Sequence, residues 1–325
     1  MINPFLLLLL GFVLGMLTGF LGVGGGFLLT PALNILGFHM LYAIGTSFST
    51  IVGNSLIGAM RHHRLGNVDF KLGIIMGLLS MIGVEFGKRF VFHLEKLNLA
   101  GTYVRMAYIF FLLLISIFML REYYQFQKPR FEKKGVEEKK HFLALQISRI
   151  KIPPKISLPR SGVNLISIWV IIVSSIFIGF LSGFMGIGGG FIGLPLLIYV
   201  IGVPTLLAVG TSLVIVFFTS CYGMMVYAIE GNVEWMAVLI ILAGSFAGLQ
   251  LGVYATRYVP SMKIRLLFAL FLFIIAVSIL LKQINKVTLS SYLLVGSACL
   301  LSFTILLPLM KRRLAQILNK NNPQS

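Results

Sequence analysis

Residues 15–31 read GMLTGFLGVGGGFLLTP, and residues 179–195 read GFLSGFMGIGGGFIGLP. At a constant offset of 164, Gly15, Leu17, Gly19, Phe20, Gly22, Gly24, Gly25, Gly26, Phe27 and Pro31 recur as Gly179, Leu181, Gly183, Phe184, Gly186, Gly188, Gly189, Gly190, Phe191 and Pro195. Thr18 becomes Ser182, so a hydroxyl recurs as well. At an offset of 165 the match continues: Gly45-Thr46-Ser47 becomes Gly210-Thr211-Ser212, Gly66-Asn67-Val68 becomes Gly231-Asn232-Val233, and Gly83 and Gly87 become Gly248 and Gly252. Chance does not hold such a register over some 70 residues. One structural unit is used twice.

The residues around these stretches say what kind of unit it is. Of 325 residues, 58% are hydrophobic and 11% charged, against roughly 45–50% and about 25% in a soluble domain. The apolar residues form runs near 5–21, 40–60, 72–87, 103–120, 164–184, 205–229, 235–256, 264–281 and 289–310. Each approaches the roughly 20 residues that cross a hydrocarbon layer of about 30 Å. Lipid offers backbone groups no partners, so the runs must be helices. Met1 to Pro4 carries no basic residue, and the first run is read as a retained helix rather than a signal peptide. The expected fold is an all-α polytopic membrane protein. Its parts are a first transmembrane repeat at 1–120, a linker at 121–163, a second repeat at 164–282, one extra helix at 283–310 and a basic tail at 311–325.

Lys and Arg counts set the expected orientation, because short cytoplasmic loops collect them. The linker from Arg121 to Arg160 holds 11 of the 27, with Pro129, Pro153, Pro154 and Pro159 interrupting any long helix. With this linker inside, each half makes a glycine-interrupted hairpin and then three crossings, so the second half is inverted relative to the first, as in many secondary transporters. The basic residues then divide 21 inside to 6 outside, with the N-terminus outside and the C-terminus cytoplasmic. Hairpins that cross fully would raise the count from nine spans plus half-helices to eleven and leave the inversion intact. The location expected is the cytoplasmic membrane of the cell.

The glycine runs carry the candidate chemistry. Glycine costs a helix about 1 kcal/mol relative to alanine, so consecutive glycines need a reason. Gly15-x-x-x-Gly19 fits close helix packing. Gly22, Gly24, Gly25 and Gly26, with Gly186, Gly188, Gly189 and Gly190, fit an unwound segment at mid-membrane that leaves helix N-termini facing a cavity. Such N-termini bind anions without any cationic side chain. The hydroxyls of Thr46, Ser47, Thr211 and Ser212 recur in equivalent positions and join these glycines as expected substrate-binding residues. Asn54 and Gln250 lack polar equivalents and are weaker candidates.

Other chemistries find little support. A glycine-rich nucleotide loop needs a βα setting that lipid-length helices do not provide. Cys221 and Cys299 stand alone, read as two buried thiols, and no metal-ligand cluster, cofactor motif or catalytic Ser/His/Asp set occurs at membrane depth. Glu85 is the one carboxylate well inside a run, within four residues of Lys88 and Arg89, where pairing near the interface competes with a proton-relay role. His62 and His63, between Arg61 and Arg64, read as a solvated basic turn. The net charge of +18 sits in loops beside membrane helices, where anionic lipid heads rather than nucleic acid are the partner.

The doubled G-F-[LM]-G-[VI]-G-G-G-F-x-x-x-P with a following G-T-S resembles the sulfite exporter TauE/SafE family, also called TSUP, over nearly the whole chain outside the linker and tail. The resemblance implies a secondary transporter that moves sulfite, a sulfonate or another sulfur-containing or organic anion by alternating access, with no cofactor and no enzymatic activity. A passive anion channel and a non-transport membrane scaffold are the alternative readings. The long basic linker departs from compact members of the family. Sequence leaves open the substrate, the direction, the coupling ion and whether the protein forms a homodimer.

Overall fold

The computed structural model describes residues 4–21, 24–126, 153–255, 261–301 and 303–304. Eleven helices appear among them: α1 (Pro4–Leu21), α2 (Gly26–Ile35), α3 (Met40–Arg64), α4 (Phe70–Lys96), α5 (Ala100–Phe126), α6 (Ile168–Met185), α7 (Gly190–Pro195, continued by a π-helical turn Leu196–Ile201), α8 (Thr205–Ile229), α9 (Trp235–Ala255), α10 (Ser261–Gln283) and α11 (Val287–Leu301). Six of them, α3 to α6, α8 and α9, are long and apolar enough to cross a membrane. The chain is a polytopic all-α membrane protein. Of the expected sites, Gly22 lies outside the described residues, as do most of the linker and the basic tail.

The main helix contacts join the two sequence halves to each other. The principal packings are α1 on α9, α4 on α6, α3 on α8, α5 on α10, and α4 on α8 with α9 on α3. Under the sequence offset, α1 on α9 corresponds to α6 on α4, and α3 on α8 corresponds to itself. Glycines set the spacing. A Cβ added at Gly11, Gly15 or Gly19 would meet the backbone oxygens of Ile241, Ser245 or Leu249 at 2.0 to 2.4 Å. Across the same seam, Cβ atoms at Gly244, Gly248 and Gly252 would strike the oxygens of Leu8, Phe12 and Met16. Gly83, Gly87, Gly179 and Gly183 repeat the arrangement between α4 and α6. Bare backbones in contact gain dispersion energy where lipid supplies no hydrophobic drive.

Three expectations need correction. The apolar run beginning at 164 starts as strand: Val163–Ser167 pairs antiparallel with Lys155–Leu158, and α6 begins only at Ile168. A tight turn at Pro159–Ser161, closed by Gly162 at φ +66°, makes this hairpin. His62 is buried rather than solvated, because α3 runs on to Arg64 and turns His62 inward while His63 stays exposed beside Phe70. Cys299 is exposed and Cys221 only half-buried.

The hairpin is anchored. Leu158 and Ile166 enter the core, and Ser161 Oγ donates to Asp69 Oδ2 at 2.6 Å. Asp69, itself buried, caps α4 by accepting from the Leu72 N–H at 3.1 Å. Replacing Asp69 with Ala removes the cap and leaves the buried Ser161 hydroxyl without its acceptor. The expected loss is about 1–3 kcal/mol, read by detergent-induced unfolding, with Asp69→Asn losing less because it keeps an acceptor.

Candidate functional site

At the centre of the molecule the two glycine segments face each other. Phe27 and Phe191, equivalent under the 164 offset, stack with ring centroids 5.4 Å apart and planes 18° from parallel. Gly24 and Gly25 adopt φ +76° and +82°, and Gly186, Gly188 and Gly189 adopt φ +75°, +68° and +85°. These left-handed conformations are open to glycine and strained for other residues, which is why the sequence must spend glycines here. Each run ends by starting a new helix, with Gly25 capping α2 and Gly189 capping α7. All the described loop glycines are buried.

The depth of the loops follows from what touches them. A Cβ on Gly24 would lie 2.8 Å from Val216 Cγ1 and 3.4 Å from Ile51 Cγ2, one on Gly26 would lie 2.5 Å from Ile51 Cδ1, and one on Gly188 would lie 3.0 Å from Ile51 Cγ2. Ile51 and Val216 are themselves equivalent residues. Each stands at the midpoint of a 25-residue helix, α3 or α8. The two side chains fill the middle of the span between the loops.

Donors and acceptors are unevenly used. In the second loop Tyr108 donates to the carbonyl of Met185 at 2.8 Å, Thr30 to that of Gly186 at 3.1 Å and Thr219 to that of Gly188 at 2.5 Å. Side-chain donors thus occupy the carbonyl oxygens, while the first N–H groups of α2 and α7 have no acceptor within their own helices. Among the described residues, four fully buried hydroxyls also lack a protein partner: Thr18, Ser47, Ser182 and Ser220. Thr18 Oγ1 lies 2.8 Å from the Cβ position of Gly25, and Ser220 Oγ lies 2.8 Å from that of Gly188. Ser47 shares the face of α3 that carries Ile44 and Ile51, both of which meet the second loop. A buried hydroxyl without a partner costs about 1–3 kcal/mol. Thr18 at the first loop and Ser220 at the second therefore leave hydrogen-bonding capacity beside the glycines that no described protein group fills.

The Gly-Thr-Ser elements divide. Ser47 joins the centre, whereas Ser212 donates to the carbonyl of Val209 on its own helix at 2.8 Å. Thr46 Oγ1 accepts from the N–H of Glu234 at 3.0 Å, and Thr211 Oγ1 accepts from the N–H of Asp69 at 2.9 Å. Gly45 and Gly210 make room, since their Cβ atoms would fall 2.1 and 1.8 Å from the carbonyl oxygens of Asn232 and Asn67. Each Gly-Thr therefore ties the start of one helix to the Gly-Asn-Val loop of the other half. The ties lie one toward each end of the bundle. Asn54 accepts from Ser245 at 2.6 Å and Gln250 is exposed. Glu85, just past the middle of α4, accepts from Arg89 at 2.8 Å and from Tyr222 of α8 at 3.1 Å.

Sequence reading noted the recurring hydroxyl of Thr18 and Ser182 and that of Ser220 without assigning any of them to the site, and it missed the pair Ile51 and Val216. The signal was present for two of them, because Thr18 and Ser182 recur together. No group of three or more His, Cys, Asp or Glu side chains that would hold a metal occurs among the described residues. A cleft of about 420 Å3 opens where α3 ends, lined by Ile57, Met60, Arg61, Arg64, Leu65 and Val253.

Comparison with known proteins adds an independent line. The profile described as sulfite exporter TauE/SafE matches residues 7–279. The chain is 29% identical to a probable membrane transporter protein of Haemophilus influenzae over 297 residues, covering 85% of this chain and 98% of that one. It is likewise 29% identical over 264 residues to the probable membrane transporter protein YdhB of Bacillus subtilis, covering 80% and 93%. No solved structure matches.

The loop geometry makes a stability prediction. Gly25→Ala adds a contact with Thr18 to an unfavourable φ, whereas Gly37→Ala, at φ +104° with nothing within 4 Å, adds only the backbone strain. Both substitutions should destabilise the purified protein by roughly 1–3 kcal/mol of backbone strain, read as a fall in unfolding temperature, and Gly25→Ala should cause the larger fall.

Proposed function

The chain belongs to the sulfite exporter TauE/SafE family of membrane transporters, and from that premise we propose that it carries a small anion, sulfite, a sulfonate or a related sulfur-containing or organic anion, by alternating access. The observation that carries this reading is the pair of buried hydroxyls without a described partner, Thr18 and Ser220, beside the two glycine loops from which α2 and α7 start. The substrate would sit between Gly24-Gly25-Gly26 and Gly186-Gly188-Gly189-Gly190, in contact with Ser47 and the hydroxyls of Thr18, Ser182 and Ser220. Helix N-termini stabilise an anion by their aligned dipoles without carrying a fixed net charge. A neutral site of this kind releases its cargo on either side once the surrounding helices part.

The Gly-Thr ties serve as the two gates of such a cycle. With the linker and C-terminus cytoplasmic and the two halves inverted, Thr211 with Asp69 closes the inner side and Thr46 with Glu234 the outer side. Breaking one tie while keeping the other opens one side at a time. The inner gate carries an extra closure, since Ser161 of the linker hairpin also holds Asp69. Arg61 and Arg64 beside the inner cleft draw anions to that mouth. No catalytic group takes part, and the energy comes from the solute gradient, the membrane potential or a coupled ion.

Liposomes containing the purified protein, tested on a solid-supported membrane with jumps of sulfite, thiosulfate, sulfoacetate, sulfate and lactate, should give a saturable response to at least one sulfur anion. A conductance that persists without a gradient of conformational cycling, and no saturation, would favour a channel. Replacing Gly24 or Gly188 with Val should abolish the response while leaving membrane insertion intact, because each adds a clash to a left-handed residue. In a Cys221→Ser, Cys299→Ser background, disulfides formed by Thr46→Cys with Glu234→Cys, or by Thr211→Cys with Asp69→Cys, should each stop transport, and reduction should restore it. Undiminished flux through either crosslinked protein would remove the gate assignment.

A further inference from the structure

We propose that Arg105 and Lys282 form a second anion site, at the end of α2 away from the glycine loops, that takes a small solute oxyanion before or after it occupies the central site. Arg105 Nε donates to Gln283 Oε1 at 2.6 Å, Arg105 Nη1 reaches Asn34 Oδ1 at 3.5 Å, and Lys282 Nζ donates to the carbonyl of Asn34. Two cations thus converge on one asparagine, and both are half-buried. Gly101 leaves the room that the guanidinium occupies, since a Cβ there would lie 3.2 Å from Nη1.

What the cluster lacks is an anion. Every described partner of the two cations is neutral, and none of the ion pairs among the described residues includes either one: His39 holds Glu95, Lys88 holds Glu230 and Arg89 holds Glu85. Neutral oxygens satisfy the N–H donors but leave two like charges facing each other in a partly dry setting. Arg105 also keeps donors to spare, because its described bonds use Nε and Nη1 of a five-donor fork shaped to match an oxyanion.

Completing a helix end does not account for the pair. The C-terminal end of α2 bears only about half a negative charge. Its equivalent, the end of α7 and its π-helical turn, closes without cations: Asn34 corresponds to Ile198, Arg105 to Ala269 or Leu270, and Lys282 to Phe118 or Ile117. The polar cluster is therefore an addition made at one mouth only. It stands at the opposite end of α4 from the Asp69 hairpin anchor, and α2, ten residues long, spans about 15 Å between it and the central loops.

The assignment rests on the anion-transport reading for its role, and its binding is tested apart from transport. Protein purified in an uncharged maltoside detergent is unfolded thermally while sulfite, sulfate or thiosulfate replaces chloride at matched ionic strength, in parallel with phosphatidylglycerol as a source of lipid phosphate. A saturable rise in unfolding temperature with at least one free oxyanion is expected, with the apparent affinity weakened about tenfold or more by Arg105→Gln and by Lys282→Gln. Each glutamine keeps an N–H donor for the neighbouring oxygen, and Arg105→Lys, expected to be intermediate, serves if Arg105→Gln does not fold. A rise that survives both glutamine variants unchanged overturns the site. So does a wild type that no free oxyanion stabilises, whether or not phosphatidylglycerol does. A rise lost in the variants, together with no flux in wild-type liposomes, keeps the site and removes the transport reading.

Discussion

Everything in this structure hangs on a contact that only glycine permits. Along the seam between α1 and α9, and again between α4 and α6, the backbone of one helix sits where the other would have placed its Cβ atoms. A single methyl there would overlap a carbonyl oxygen at about 2 Å, and the helices would have to separate. Because the partners come from different sequence halves, the contact also decides topology: the halves interlock instead of standing side by side. The interlock brings the two glycine loops face to face, stacks Phe27 on Phe191 and leaves α3 and α8 crossing beside them with Ile51 and Val216 at their middles.

Much of this was legible in the sequence, and the part that was not has a common cause. The apolar character of the helices follows from local composition, and the recurrence of the glycine motifs is visible in the register. Partnership across the register is not. Gly45-Thr46 and Gly66-Asn67-Val68 both recur at the same offset, which signals importance, but nothing local says that each Gly-Thr meets the Gly-Asn-Val of the other half. The threonines therefore read as ligands, while their hydroxyls accept backbone N–H groups of Glu234 and Asp69. The burial of His62 was hidden in the same way, since four basic residues in a row look like a loop until α3 is seen to continue beneath them. The hairpin at 155–167 was masked by prolines and charge, although Leu158 and Ile166 enter the core.

The electrostatic layout separates the ends of the bundle from its middle. Cations stand at the ends of the bundle, Arg61 and Arg64 at one and Arg105 and Lys282 at the other, while the described centre offers hydroxyls and helix dipoles and no formal charge. A fixed cation at mid-membrane would be costly when empty and would hold an anion too tightly when filled. Dipoles impose neither penalty to the same degree. The loop carbonyls of Met185, Gly186 and Gly188 accept from Tyr108, Thr30 and Thr219, so side chains from outside the loop set the polarity of the centre.

The interlocked halves also bear on how the chain is made. Some 230 residues separate the middle of α1 from that of α9, so at roughly 5–20 residues per second the first helix waits on the order of 10–50 s in the bilayer before its partner is synthesised. Throughout that interval its glycine face is open to any neighbouring helix with a small-residue groove. Biogenesis of this protein is thus a race between the ribosome finishing the second half and the first half finding the wrong companion.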